Sequence, residues 1–291
     1  MFDIKHEIKL VDISKIRAPH YQIPLDATSP LFDEPLVNLK HYDLPFLSWH
    51  AVTDGSNAPY GKPIAGSRQE GWLRKTIADK LQKANRLLHR FDCELLILDA
   101  YRPIDCQRGL WTFFYERGRE QIPGATEDDL RNYALGYVRD PRNFDRLDAR
   151  TFPIHITGSS IDVTLRRRSS GQWMNMGSKF EEIIDVSGTD YFERQLQQGL
   201  IDENDERLWN RRLMDWALRS EDFLNDPILY WHYDWGNQIW IKVKNAIYGD
   251  APPAAWYGHI ESPAWGVPEA QLLAEREAGA ALAGAALAEA A

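Results

Sequence analysis

Cysteine is scarce in this chain: two residues in 291, Cys93 and Cys106. Two are too few for a disulfide framework at this length, and neither has a Cys or His partner at metal-finger spacing. Both read as small buried side chains. Long apolar runs are also missing. No stretch reaches the ~18 apolar residues of a membrane span, and the segment from Met1 to Glu7 carries charge where a signal peptide needs an apolar run. A cytoplasmic, reduced protein is therefore expected. Excess positive charge is absent as well, and a net charge of −9 argues against nucleic acid or an anionic membrane as partner. The short basic run Arg166-Arg167-Arg168 reads as a solvated turn.

Aromatic residues are plentiful, with 11 Trp and 12 Tyr, and 44% of the chain is hydrophobic. That is enough to bury a sizeable core. A single domain is expected over 1–266, with 1–44 as a wrapping segment. The Ala-rich stretch 267–291 is expected to form a C-terminal helix or tail and is a candidate homo-oligomer contact.

Periodicity marks the elements. Ile77, Leu81, Ala84 and Leu88 recur at helical spacing, and a second helix is expected from near Ile104 with Leu110, Phe113 and Phe114. A short helix is expected around Asp129–Tyr137. Another runs from about Asn204 to Leu218, capped by Asn204 or Asp205, with Trp209, Leu213 and Trp216 as its apolar stripe. Glu94–Leu98 reads as a buried strand. Ile161–Leu165 alternates, which sets Ile161, Val163 and Leu165 on one face and Asp162 on the other. Leu229–Tyr233 and Gln238–Val243 read as two further strands joined by a turn at Asp234–Asn237.

The chemistry concentrates in three residues. His155 and Asp162 stand seven positions apart across Gly158, and His232 follows inside Tyr230-Trp231-His232-Tyr233. Two imidazoles and one carboxylate, with a further position left to water, suit a catalytic Zn2+ site rather than a closed structural one.

The run His155-x-x-Gly158-x-x-x-Asp162, preceded by Asp99-Ala100-Tyr101-Arg102-Pro103 and followed by Trp231-His232-Tyr233, resembles the zinc D-alanyl-D-alanine dipeptidases of the vancomycin-resistance type (peptidase family M15). The segments Met176–Glu181 and Asn210–Leu213 add to the likeness, which spans roughly residues 45 to 245. The resemblance implies an α+β fold: a small, mostly antiparallel sheet carrying the ligands, with helices on one side. It implies zinc on His155, Asp162 and His232, with Arg102 directed at the oxyanion of a tetrahedral intermediate. A planar cation with five donors suits that task; a structural salt bridge to Asp99 is the other reading of Arg102. Tyr101, Trp231 and Tyr233 are the candidate substrate-binding residues.

Two positions depart from the family pattern. Its second metal segment reads Glu-x-x-His, the Glu taking a proton from the attacking water, and here that position is Leu229. The Ser two residues before the first ligand is Pro153. Asp234, two residues after His232, is the first candidate to replace the missing acid, ahead of Tyr230 and of Glu181 or Glu182. Three functions follow in order. The first is a zinc-dependent hydrolase of a small peptide or amino-acid amide. The second is a non-hydrolytic zinc enzyme performing elimination, cyclisation or epimerisation on an amino-acid-derived metabolite. The third is a metal-containing binding protein without catalysis.

Overall fold

The computed structural model describes residues 6–9, 11–12 and 19–260. The Ala-rich tail at 267–291, with the helix and the inter-chain contact expected of it, lies outside the described residues. In chain order the elements are β1 (Leu36–Asn38), β2 (Trp72–Arg74), α1 (Lys75–Leu88), β3 (Cys93–Asp99), α2 (Ile104–Gln121), α3 (Glu127–Leu135), β4 (Ser160–Arg167), α4 (Tyr191–Gln197), α5 (Glu206–Arg219), β5 (Leu224–Asn225), β6 (His232–Asp234) and α6 (Gln238–Tyr248). This is an α+β fold with small antiparallel sheets. β1 and β2 form a ribbon, and the central sheet runs β3-β4-β6-β5 with every pairing antiparallel.

Strand register explains where the chemistry collects. Residues directly opposite one another in a ladder project to the same face. Leu95 pairs with Leu165, Ile97 with Val163, and Ile161 with Tyr233. These side chains join one buried apolar cluster with Ile77, Leu81, Ala84 and Leu88 of α1 and with Leu213, Met214 and Ala217 of α5. The alternate row, Asp99 opposite Asp162 opposite His232, crosses three strands on the other face. A two-residue period separates Asp162 and His232 from the core row, and a register shift after Ile97 brings Asp99, otherwise in phase with Leu95 and Ile97, opposite Asp162.

The helices expected from periodicity form, and Asp205 caps α5 by accepting from Arg207 N and Leu208 N. The buried stripe of α5 differs from the expected one: Leu208, Leu213, Met214, Ala217 and Leu218 are buried, and Trp209 and Trp216 are only half-buried. Two strand assignments are corrected: the strand expected at Leu229–Tyr233 is β6 at His232–Asp234, with residues 229–231 outside it, and the second is not a strand. Gln238–Val243 lies in α6, because the Asn237 side chain accepts from Trp240 N at 3.0 Å and starts a helix there. Trp240, Ile241 and Val243 are buried in it. In the described part of the chain before β1, His6 Nε2 meets Asp215 Oδ2 of α5 at 2.6 Å, and Ile8 N donates to Glu193 of α4.

Candidate metal centre

His155 is delivered by a 3-10 turn, Ile154–Thr157, that ends at Gly158. Gly158 has φ +69°, and a Cβ there would stand 2.6 Å from Leu36 Cδ2, so glycine is required both by its backbone and by its neighbour. The turn is held from below by Arg74, which is fully buried. Its guanidinium donates to the carbonyls of Thr157, Phe32, Glu34 and Gly258, and its own N–H donates to Gly158 O at 2.9 Å. Burial with only neutral carbonyl partners pulls Arg74 down to about 10.

The three metal-capable side chains converge: one ligand atom from each of His155, Asp162 and His232 lies within 4.8 Å of the others, and all three residues are buried. His155 Nε2 is 3.5 Å from Asp162 Oδ2, and His232 Nδ1 is 2.9 Å from Asp162 Oδ1. Bonds of about 2.0–2.2 Å to a tetrahedral ion set donor atoms about 3.4 Å apart, so these spacings suit a divalent ion. The far ring nitrogens both face acceptors. His155 Nδ1 meets the Ala100 carbonyl at 3.0 Å, and because a carbonyl only accepts, Nε2 keeps its lone pair. His232 Nε2 faces Asp234 Oδ2 at 3.2 Å, which leaves Nδ1 as the donor atom.

The electrostatics follow from burial and neighbours. His155 lies below the usual histidine range because burial and Arg102 both oppose its charge. Burial also opposes charge on His232, but the Asp234 and Asp162 carboxylates outweigh it and hold the group well above that range. Arg102 donates to Asp99 Oδ2 through Nε at 2.8 Å and through Nη2, and to Gln107 through Nη1 at 3.0 Å. Its Nη2 also comes within 3.7 Å of Asp162. Arg102 thus forms the ion pair with Asp99, on a side chain that lines the same cavity as the three metal-capable residues.

That cavity, about 210 Å³, is walled by Leu229, Trp231, Ile183, Tyr60, Arg139 and Pro153 among others. The lining also includes two carboxylates besides Asp162, those of Glu181 and Asp226. Of the expected substrate-binding residues, Trp231 faces the cavity. Tyr233 does not: paired with Ile161, it projects into the core, with its hydroxyl 3.3 Å from Asp215. Tyr101 turns its hydroxyl to the Ile260 carbonyl at 3.0 Å and is not part of the lining.

The candidates for the missing acid separate in the same way. Asp234 sits behind His232, fully buried, accepting from Ser160 Oγ at 2.5 Å and Asn237 Nδ2 at 2.7 Å, and it does not line the cavity. This corrects its expected position facing substrate: it shares the face of His232 but lies one pleat further along, opposite Ser160. Tyr230 is buried with its hydroxyl donating to Ser178 O at 3.1 Å, and Glu182 lines a different groove.

Sequence reasoning missed His50. It is buried between two carboxylates, with Nε2 at 3.4 Å from Glu181 Oε1 and Nδ1 at 3.7 Å from Asp99 Oδ1. Burial opposes its charge, but these carboxylates prevail and hold it up at about 9. A lone His in Ser48-Trp49-His50-Ala51 gives no local signal of this role.

An α+β fold that brings two His and one Asp together beside a buried arginine defines a candidate metal centre. More particularly, the chain belongs to peptidase family M15: residues 60–250 match the sequence model described as D-Ala-D-Ala dipeptidase. It is similar to a D-alanyl-D-alanine dipeptidase of Synechocystis sp. (strain ATCC 27184 / PCC 6803 / Kazusa), 26% identical over 200 residues, covering 65% of this chain and 79% of the relative. It is also similar to the D-alanyl-D-alanine dipeptidase of Enterococcus faecium, 24% identical over 211 residues, covering 69% and 89%. Among the described residues, no helix is long and apolar enough to cross a membrane.

Proposed function

We propose that this protein is a zinc-dependent hydrolase of small peptides of the dipeptide class, with His155 Nε2, Asp162 and His232 Nδ1 holding the ion. The observation that carries this reading is the convergence of all three donors with Arg102 in one small cavity. A bound divalent ion supplies a Lewis acid for the scissile carbonyl and lowers the pKa of a coordinated water towards about 7. The protein's own residues do the rest. Arg102, locked by Asp99 and Gln107, offers a fixed positive charge where a carbonyl oxygen gains negative charge. Asp234 and the Ala100 carbonyl hold the two imidazoles in the required tautomers. Trp231 and Leu229 supply apolar wall, and the cavity is smaller than the ~300–1,000 Å³ typical of drug-sized ligands.

One observation favours a non-hydrolytic zinc enzyme instead: Leu229 lines the cavity with a side chain that can neither accept nor donate a proton. The two readings part in one experiment. Purified protein, with and without added zinc, is incubated with a panel of dipeptides including D-alanyl-D-alanine, and products are followed by mass spectrometry. Zinc-dependent release of free amino acids is expected. Intact dipeptides throughout, or a product isomeric with its substrate, would overturn the hydrolase reading.

A further inference from the structure

With Leu229 in the wall, no carboxylate occupies the position expected to carry the proton in hydrolysis, yet the reaction still needs a carrier. Besides Asp162, the cavity lining contains the carboxylates of Glu181 and Asp226. Asp226 is tied into its own turn, its Oδ1 accepting from Ile228 N at 2.7 Å while its backbone N–H bonds His232 O. Glu181 is presented differently.

Glu181 has φ +65°, a left-handed conformation that a non-glycine residue adopts only when its surroundings impose it. The surroundings are firm on both sides. Phe180 packs edge-on against Trp231 and Trp49, at ring separations of 5.4 and 5.8 Å. After Glu181, Ser187 donates to the Glu182 carbonyl. The buried Arg211 then fixes the loop as a whole, donating to the carbonyls of Met176, Gly188 and Val186. This scaffolding holds Glu181 in the cavity lining, with its Oε1 3.4 Å from His50 Nε2. The charged and titratable groups facing it are His50, Tyr60, Arg102 and Cys106, with Asp99 behind His50.

We infer that Glu181, oriented by His50, is the proton-carrying residue of this site and takes over from a different loop the work that Leu229 cannot do. The inference rests on the hydrolase reading. In the step assigned to it, the Glu181 carboxylate accepts a proton from water as the water oxygen bonds to the amide carbon. It returns that proton to the nitrogen as the C–N bond breaks, giving one carboxylic acid and one amine with no other reactant. His50 is a positioning residue: paired to Asp99 on its other nitrogen, it keeps its own proton while Glu181 cycles.

Two measurements on the zinc-loaded protein test this. In kinetics, Glu181→Gln is expected to lower kcat about 10²–10⁴-fold with KM within about threefold, the range for loss of a positioned acid–base group. Placing Leu229→Glu in that background is expected to restore most of the rate. A raised KM at unchanged kcat would mean that Glu181 binds a substrate ammonium group, and would overturn the proposal.

The second measurement needs no turnover. A phosphinate dipeptide analogue mimics the tetrahedral adduct, and its anionic oxygen can share a proton with an acid–base carboxyl. Calorimetry in buffers of different ionisation enthalpy is expected to give uptake of close to one proton per site in the unmodified protein and in Glu182→Gln, and none in Glu181→Gln. Uptake lost in Asp226→Asn but kept in Glu181→Gln would overturn the proposal in favour of Asp226. If no dipeptide is cleaved but the Glu181-dependent uptake is present, the hydrolase reading fails and the assignment of Glu181 stands. No binding of the analogue overturns both.

Discussion

Asp234→Asn tests what holds the orientation of His232, while also removing the negative charge that Asp234 sets beside it. The carboxylate accepts at Oδ1 from Ser160 and Asn237 and faces His232 Nε2 with Oδ2 at 3.2 Å. Asparagine keeps the shape and can keep its oxygen on Ser160 and Asn237, but its amide then sets N–H donors against the Nε2–H of His232. The imidazole relieves this by moving its proton to Nδ1, the atom that must bind the metal. Loss of a group that orients a metal-bound histidine typically costs 10–100-fold in affinity. The enforced tautomer places this variant at the upper end, near 100-fold, or about 2.8 kcal/mol at about 1.4 kcal/mol per decade. Competition against a chromophoric chelator measures it directly. Unchanged zinc affinity with a collapsed kcat would refute the reasoning and return Asp234 to the role of acid–base group first expected of it.

Gly158→Ala is expected to destabilise the fold by about 2 kcal/mol, since a left-handed non-glycine backbone costs roughly 1–2 kcal/mol and the new Cβ meets Leu36. It should also weaken zinc binding, as seen by urea unfolding and chelator competition. Arg74→Met leaves four carbonyls without their donor, those of Thr157 and Gly258 in buried bonds and those of Phe32 and Glu34 in part-buried ones. At about 1–3 kcal/mol per unsatisfied group, a loss of at least about 3 kcal/mol is expected in urea unfolding. His50 is raised from 6.5 to about 9 in the fold, so its contribution to stability is complete below pH 6.5 and is lost as pH rises through about 9. Each unit is worth about 1.4 kcal/mol, so unfolding free energy should fall by up to about 3 kcal/mol across that window relative to His50→Gln. Parallel pH profiles for the two proteins would contradict the ion-pair assignment.

What was legible in the sequence was what local pattern encodes. Alternation in Ile161–Leu165 placed Asp162 opposite the core row, and the i, i+4, i+7, i+11 series of Ile77–Leu88 became α1. The convergence of His155, Asp162 and His232 was readable because such residue types are rarely brought together by chance at a turn-forming glycine. The failures have local causes of their own. Ile239, Ile241 and Val243 alternate like a strand, and only the Asn237 cap shows that they lie on a helix. Tyr233 neighbours a ligand in sequence, but the pleat turns it into the core. His50, Arg74 and Arg211 act across 131, 83 and 35 positions of chain respectively. No window of neighbouring residues contains such contacts, and register and loop path alone create them.

Anomalous diffraction at the zinc edge, from crystals of the zinc-loaded protein, tests the metal centre most directly. A single peak is expected about 2.0–2.2 Å from His155 Nε2, His232 Nδ1 and an Asp162 oxygen, with a further position open to the cavity. Absence of a peak there, or a peak bonded to other residues with this trio left out, would contradict the assignment of the site and the chemistry built on it.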